Sequence, residues 1–536
     1  MASYHKRGTG YNPSRSSEFD LIDSELKKLD EEIQLLAERR RLLCWKRNTL
    51  VTINSLPEEL LVEILTFAGK SWVSNSALMK LLWVCQWWRK IALESSRLWT
   101  WIGQFNSTQL SKWLSLSKHS SLHINFVNAL PFSSGFTREL FTALFRVQTL
   151  RLGLEGINLD LKFFWIQPPY RLETLGLENV NLPTSALAQA SLLRHLFLRQ
   201  CDFRWEPDHY GYPHLVSFHL INPRDPVPLT TFLHLVRGMP QLRTLVLVEA
   251  FQESTLQQPF PVRMPVLSCL KVSSRTFEPY LQFLELSSCI TEQTEATFQV
   301  VVVSPNPAQL RLILSRIASL CCTAARQVTQ IDLWDSEHTD IRYGGLVEGD
   351  DSASDIKPVV LAISNYAPNR SLSSIQNATA LCDNLLLGHL RTLGIYDPNL
   401  ARDSNYHTKL IQLFGTLPCL KQLDIHVHSC MRQFLRAITT SSPDAPVLFP
   451  ALKGIGEFGH RDFFDDLPQI LLSFLDDRVK HELDITVLVF RKQARGWDMK
   501  TMEELRRLTG VILFNSGTQR QDLGLSSISL QNWRTD

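Results

Sequence analysis

LETLGLENVNLPTSALAQASLLRHLFLRQCDF, residues 172–203, carries one spacing twice. Leu172, Leu175, Leu177 and Leu182 stand at offsets that Leu193, Leu196, Leu198 and Phe203 repeat 21 residues later, with Val180 and Cys201 in the matching place. Successive strand residues point to opposite faces, so a Leu-x-Leu pair puts both side chains on one face and the residue between them on the other. The spacing recurs outward from this stretch. Partial matches are Leu150/Leu152/Leu154, Leu215/Phe218/Leu220, Leu242/Leu245/Leu247, Leu267/Leu270/Val272, Val328/Ile331/Leu333, Leu390/Leu393/Ile395 and Leu420/Leu423/Ile425. Leu281, Leu284, Leu286, Cys289 and Ile290 fit nearly in full. From Leu193 the next steps are 22 residues to Leu215, 27 to Leu242 and 25 to Leu267. "MPQL", "MPVL", "LPCL" and "FPAL" precede four of the units, and a proline there ends one element before the next begins.

Offsets and period are those of leucine-rich repeats. Residues 120–511 therefore read as an irregular α/β array with leucines inward and the intervening residues on a concave face. Among those residues, His195, Phe197, Arg199, His219, Phe283 and Tyr396 are the candidate contacts for a protein substrate. The period fails after Leu286. Residues 335–358, DSEHTDIRYGGLVEGDDSASDIKP, are acidic and rich in Gly and Ser, which predicts a long loop. FQVVVVSP before it reads as an edge strand or as an aggregation-prone segment held inside the array. Residues 1–17 and 512–536 are polar and predict flexible tails.

Composition narrows the function classes. The 536 residues are 44% hydrophobic and 20% charged, enough apolar material for large cores. The net charge of +2 lacks the basic excess of a nucleic-acid binder. No stretch is apolar for the roughly 18 residues that begin to suggest a membrane span, and the polar N-terminus has no secretory h-region. The 10 cysteines form no CxxC pair, which fits reduced thiols in the cytoplasm or nucleus. The 13 tryptophans crowd the first third of the chain.

Within that third, Ile22, Leu26, Leu29, Ile33 and Leu36 alternate 4 and 3 apart, and the phase runs on through Arg40, Leu43, Arg47 and Leu50. This predicts a helix over 18–50. It either packs on the next domain or uses its seam for weak self-association. Residues 51–102 hold the densest apolar signal. Ser55 and Glu58 have capping-box spacing, with Pro57 in the first turn. Leu60, Ile64 and Phe67 share a face. A second helix is expected after Asn75 or Ser76, with Leu81, Val84 or Cys85, Trp88 and Ile91 or Ala92 as its stripe. So many Leu and Trp side chains exceed what about 50 residues can bury, which predicts a docking surface.

Residues 53–102 resemble the F-box. The residues that carry the likeness are Leu56-Pro57-Glu58-Glu59-Leu60, Ile64-Leu65, Val84-Cys85-x-x-Trp88-Arg89-x-Ile91-Ala92 and Leu98-Trp99. The whole chain looks like the basidiomycete fungal F-box proteins. Trp87, where these often carry a polar or basic residue, and the longer 69–77 loop depart from the pattern. The resemblance implies an α+β multi-domain protein: an N-terminal helix and an all-α F-box, followed by an irregular leucine-rich-repeat solenoid. It also implies a substrate-recognition subunit that docks a Skp-type adaptor of a cullin-RING ubiquitin ligase. Its adaptor-binding residues would be Leu56, Pro57, Leu60, Ile64, Leu65, Val84, Cys85, Trp88, Ile91 and Trp99. The alternative is a repeat scaffold unrelated to ubiquitination.

An enzyme is not expected, and neither is a cofactor, a metal, a nucleic acid or a membrane. Walker A, HExxH and GxSxG motifs are missing from the sequence. His460-Arg461-Asp462 matches a kinase tripeptide, but Leu467 stands where that motif needs Asn. His426, His428 and Cys430 alternate as strand ligands could, yet lack a fourth ligand. Cys321 and Cys322 read as buried helix residues.

Overall fold

In the computed structural model, the residues described are 13–70, 79–80, 82–103, 107–126, 140, 142–153, 169–182, 187, 190–203, 212–252, 261–275, 278–287, 291, 294–302, 307–321, 326–335, 338–345, 359–365, 379, 382–383, 385–395, 405–425, 430–439, 448–458, 467–483, 485–490, 499–509 and 511–514. Two compact units divide the chain, Met1–Leu150 and Arg151–Asp536.

The first unit opens with one helix, Pro13–Thr49, which starts inside the segment expected as a tail. A short turn, Thr52–Ser55, leads into the helix Glu58–Lys70. The expected capping box is not used: the Ser55 hydroxyl donates to the Thr52 carbonyl at 2.7 Å and closes the turn. Met79 and Lys80 are helical, where the second helix was expected, and after a turn at 82–84 a further helix runs from Gln86 to Glu94. Its cap is the Cys85 sulfur, which accepts from the Trp88 amide at 3.5 Å. Residues 71–78 and Leu81 lie outside the described residues. The turn Ser96–Trp99 follows, then β1 (Trp101–Ile102), the helix Ser107–Leu116 and β2 (Leu122–Phe126). β1 and β2 pair in parallel, Trp101 opposite His123. The expected all-α domain is thereby corrected, because its last residues are sheet.

Leu61, Leu65, Ile91, Leu98, Trp99, Leu110 and Trp113 fill the core of this unit. Trp99 and Trp113 meet edge to face with centroids 4.6 Å apart, and the Trp99 indole donates to the Ala92 carbonyl at 2.6 Å. Burying the Trp99 ring is favourable because a partner is found for its polar N–H. Arg146 is also buried, donating to the Leu114 carbonyl at 2.9 Å, the Ser117 hydroxyl at 3.0 Å and the Lys118 carbonyl.

The unit boundary falls within β3 (Val147–Gly153). In the second unit β4 (Thr174–Glu178), β6 (His195–Arg199), β8 (Ser217–Ile221), β9 (Thr244–Val248), β10 (Cys269–Ser274), β11 (Glu295–Val302) and β14 (Val359–Asn365) pair in parallel in that order. β5 (Asn181–Leu182) and β7 (Asp202–Phe203) make a separate small pair. β14 then joins β13 (His338–Gly345), and β13 joins β12 (Arg326–Asp335), both antiparallel. β12 continues in parallel into β15 (Thr392–Ile395), β16 (Gln422–Ile425), β17 (Gly454–Phe458), β18 (Val487–Phe490) and β19 (Val511–Phe514).

This is an α/β fold of parallel sheet with helices, and it corrects the expected leucine-rich-repeat solenoid. A solenoid needs one repeated connection. Here β14 sits beside β11 out of chain order, and an antiparallel hairpin interrupts the parallel run. Leu281, Leu284 and Leu286, expected as a strand, lie in the helix Glu278–Ser287. A three-residue step suits a helix as well as the repeat template, and Pro279 fits a first turn. β11 lies between β10 and β14, so FQVVVVSP contributes an interior strand and not an edge. Within the segment expected as one loop, residues 338–345 form β13, and residues 512–514 of the expected tail belong to β19. No helix among the described residues is long and apolar enough to cross a membrane.

Candidate functional site

The helix Glu58–Lys70 presents two apolar faces. Leu61 and Leu65 turn inward, 0% and 2% exposed. Leu60, Ile64 and Phe67, four and three residues apart, share the adjacent face and are 50%, 44% and 81% exposed. An amphipathic helix would carry polar residues there. Trp83, 81% exposed, and Val84 add further uncovered apolar surface to this unit.

The ten residues proposed for adaptor contact divide by burial. Pro57, Leu60, Ile64 and Val84 are exposed, and Leu56, Cys85 and Trp88 are half-buried. Leu65, Ile91 and Trp99 are core and hold the domain together from within. Trp88 has a fixed pose: its indole donates to Asn54 Oδ1 at 2.6 Å, while Asn54 Nδ2 donates to the Asn48 carbonyl at 2.6 Å. That chain ties the end of the long helix to the helix Gln86–Glu94. Phe67 and Trp83 are exposed apolar side chains outside that set of ten. The helical spacing from Leu60 was the signal for Phe67, whereas Trp83 showed only as one more aromatic in a crowded segment.

A second surface lies on the sheet of the other unit. Strand register sets Gly176, Phe197, His219, Val246, Lys271 and Thr297 side by side in one row. Leu175, Leu196, Phe218, Leu245 and Leu270 form the buried row on the reverse face. Gly176 leaves room for Arg151, since a Cβ there would stand 3.1 Å from the Arg151 Cγ. Phe197 and His219 are tilted rings with centroids 5.8 Å apart, and Ser217 Oγ lies 2.9 Å from His219 Nε2. Arg199 bridges across the strands to Glu178 at 3.1 Å. Burial, with Lys271, His195 and Arg151 nearby, holds the His219 imidazole down to about 4. His195 is lowered too, first by burial and then by Arg194.

His195, Phe197, Arg199 and His219 are thus brought together, although His219 is mostly covered. Phe283 is not part of this face: it is fully buried in its helix, 5.6 Å from Phe232 and 5.8 Å from Phe251 between ring centroids. Tyr396 lies outside the described residues, as do His426, His428, Cys322 and the 460–462 tripeptide. Cys321 is buried. Arg151 and Lys271 belong to the face but were not among the expected contacts, although the Leu150/Leu152 and Leu270/Val272 pairs flank them. Among the described residues, no group of three or more His, Cys, Asp or Glu is placed to hold a metal ion.

No protein-family model matches the chain, and no curated protein matches it.

Proposed function

We propose that the chain is a non-catalytic recognition subunit of a Skp–cullin–F-box-type ubiquitin ligase, working in the cytoplasm or nucleus. Residues 53–102 dock the adaptor, and the sheet face around Phe197 and Lys271 binds a protein substrate. The observation that carries the reading is the outward row Leu60, Ile64 and Phe67, left uncovered on a helix whose other face is already satisfied. Such a row suits a helical partner, because burying large apolar side chains yields roughly 25 cal/mol per Å2 removed from water. The ordered residues from Leu56 to Trp99 are those the F-box resemblance names for the adaptor.

Leu60→Asp with Ile64→Asp tests it. Both side chains are exposed, so circular dichroism of the full chain should be unchanged. Co-purification of the adaptor and cullin should fall at least about tenfold, the scale of one hot-spot loss. Undiminished capture would reject this docking face. Absence of ligase subunits from wild-type captures, with other proteins still retained, would favour a scaffold unrelated to ubiquitination.

A further inference from the structure

The long helix Pro13–Thr49 carries an apolar seam that the chain leaves open. Residues 18–47 are all exposed, and the seam side chains from Phe19 through Leu43 are each more than half exposed. With Ile22 at heptad position d, Phe19, Leu26 and Ile33 fall at a, and Leu29, Leu36 and Leu43 at d. Arg40 takes the next a position. The seam is long enough for a coiled coil, and its charges choose the occupant. Residues 18–32 hold seven carboxylates against two lysines, while residues 33–47 hold five cations against one carboxylate. One half of the helix complements the other.

We infer that this seam is closed by a second copy of the chain, with the two helices antiparallel and a two-fold axis near Glu31. In that register Leu26 packs level with Leu36 of the second copy, Leu29 with Ile33, and Phe19 with Leu43. Glu25 then flanks Arg39, and Glu18 flanks Lys46, each twice by symmetry. Asp30 and Glu32 meet their own copies near the axis, two repulsive contacts against four attractive ones. A parallel pair reverses this balance. It sets Glu18 against Asp23 and Glu25 against Asp30, and it stacks Arg40 on Arg40 in the seam. The antiparallel register separates the two Arg40 residues by about 27 Å along the axis, at 1.5 Å rise per residue.

Sedimentation equilibrium on the full chain tests both the partner and the direction. Wild type should sediment at twice the 61.4 kDa chain mass. Added salt should weaken the dimer, because its flanking charges are exposed. Glu25→Arg and Arg39→Glu should each raise the dissociation constant by about tenfold, since each turns two exposed attractions into repulsions. The double variant should return it close to wild type. All these positions are exposed, so folding of the chain is unaffected. A single-chain mass for wild type at about 100 µM, a dissociation constant far too weak for a standard interface, would overturn the inference. Tighter association of Glu25→Arg alone would overturn the antiparallel direction, because the introduced guanidinium would then face Asp30 of a parallel copy. A dimer that survives Leu29→Asp with Ile33→Asp would show that another surface holds the copies together.

Discussion

Single side chains in this protein differ in what burial demands of them. Arg146 and Arg478 are cations in the interior, and burial lowers both. Each serves as a clasp for backbone carbonyls, Arg478 donating to Leu448 at 2.8 Å and Phe449 at 2.9 Å. A buried cation is tolerated when its donors are used in this way. Cys201 shows why a small polar atom suits its place: its thiol donates to the Leu177 carbonyl at 3.3 Å, and burial pushes it up to about 11. His219 behaves oppositely. Its folded value of about 4 lies below the ordinary 6.5, so the folded chain resists protonation. Above about 6.5 both folded and unfolded chains keep this imidazole neutral. As pH falls toward 4, the unfolded chain takes up a proton that the folded chain refuses, and stability is lost through that window. His219→Phe should therefore flatten the pH dependence. Urea midpoints at about pH 7 and about pH 5 should lie closer together in the variant than in wild type; an unchanged spread would place His219 in water.

At the scale of elements, the strands were the most legible. Leu175/Leu177, Leu196/Leu198 and Phe218/Leu220 are buried pairs, and the residues between them share the opposite face. The turn after each strand repeats as well. Asn179, Gln200, Asn222 and Glu249 all have positive φ, and each donates its N–H to a carbonyl at or one residue before the end of the neighbouring strand, at 2.7 to 2.9 Å. Those residues hold left-handed backbone without glycine, which is why no Gly marked the turns. Helix and strand were confused where one spacing serves both. Leu281 and Leu284 are buried in either reading, but Phe283 decides between them: a strand turns it to solvent, a helix to the core. Phe283→Ala should cost about 3–4 kcal/mol by chemical denaturation, the range for a large buried aromatic. A cost within about 0.5 kcal/mol, as for a surface site, would restore the strand. The helix Glu58–Lys70 shows the same limit from another side. Its pattern of Leu60, Leu61, Ile64 and Leu65 is apolar on two faces, and periodicity alone does not say which face is covered.

For the whole molecule, the proposed division of labour gives a separable pair of losses. Leu60→Asp with Ile64→Asp should remove the adaptor and cullin from proximity-labelled neighbours but keep proteins held by the sheet face. Phe197→Ala with Lys271→Glu should do the reverse, lowering those proteins by about tenfold, the effect of losing one anchor, and leaving the adaptor in place. Loss of both sets in either variant would contradict two independent surfaces. The local spacing of leucines determined where the buried parallel strands run and which residues line the face between them, because alternation is a property of each strand by itself. The 4-and-3 spacing from Ile22 likewise determined the long helix and its seam. The crowding of tryptophans marked the first unit, where Trp99 and Trp113 became core and Trp83 stayed outside. Only the tertiary structure decided that β14 inserts beside β11, that a hairpin turns the sheet antiparallel, and that the whole is α/β and not a solenoid. Such pairings join residues some 60 positions apart, as in Ala296 with Val359, and depend on which edges remain free once the local elements have formed. The exposed rows on the helices Pro13–Thr49 and Glu58–Lys70 were settled in the same way: an apolar stripe asks for cover, and only the packed chain shows whether its own residues supply it.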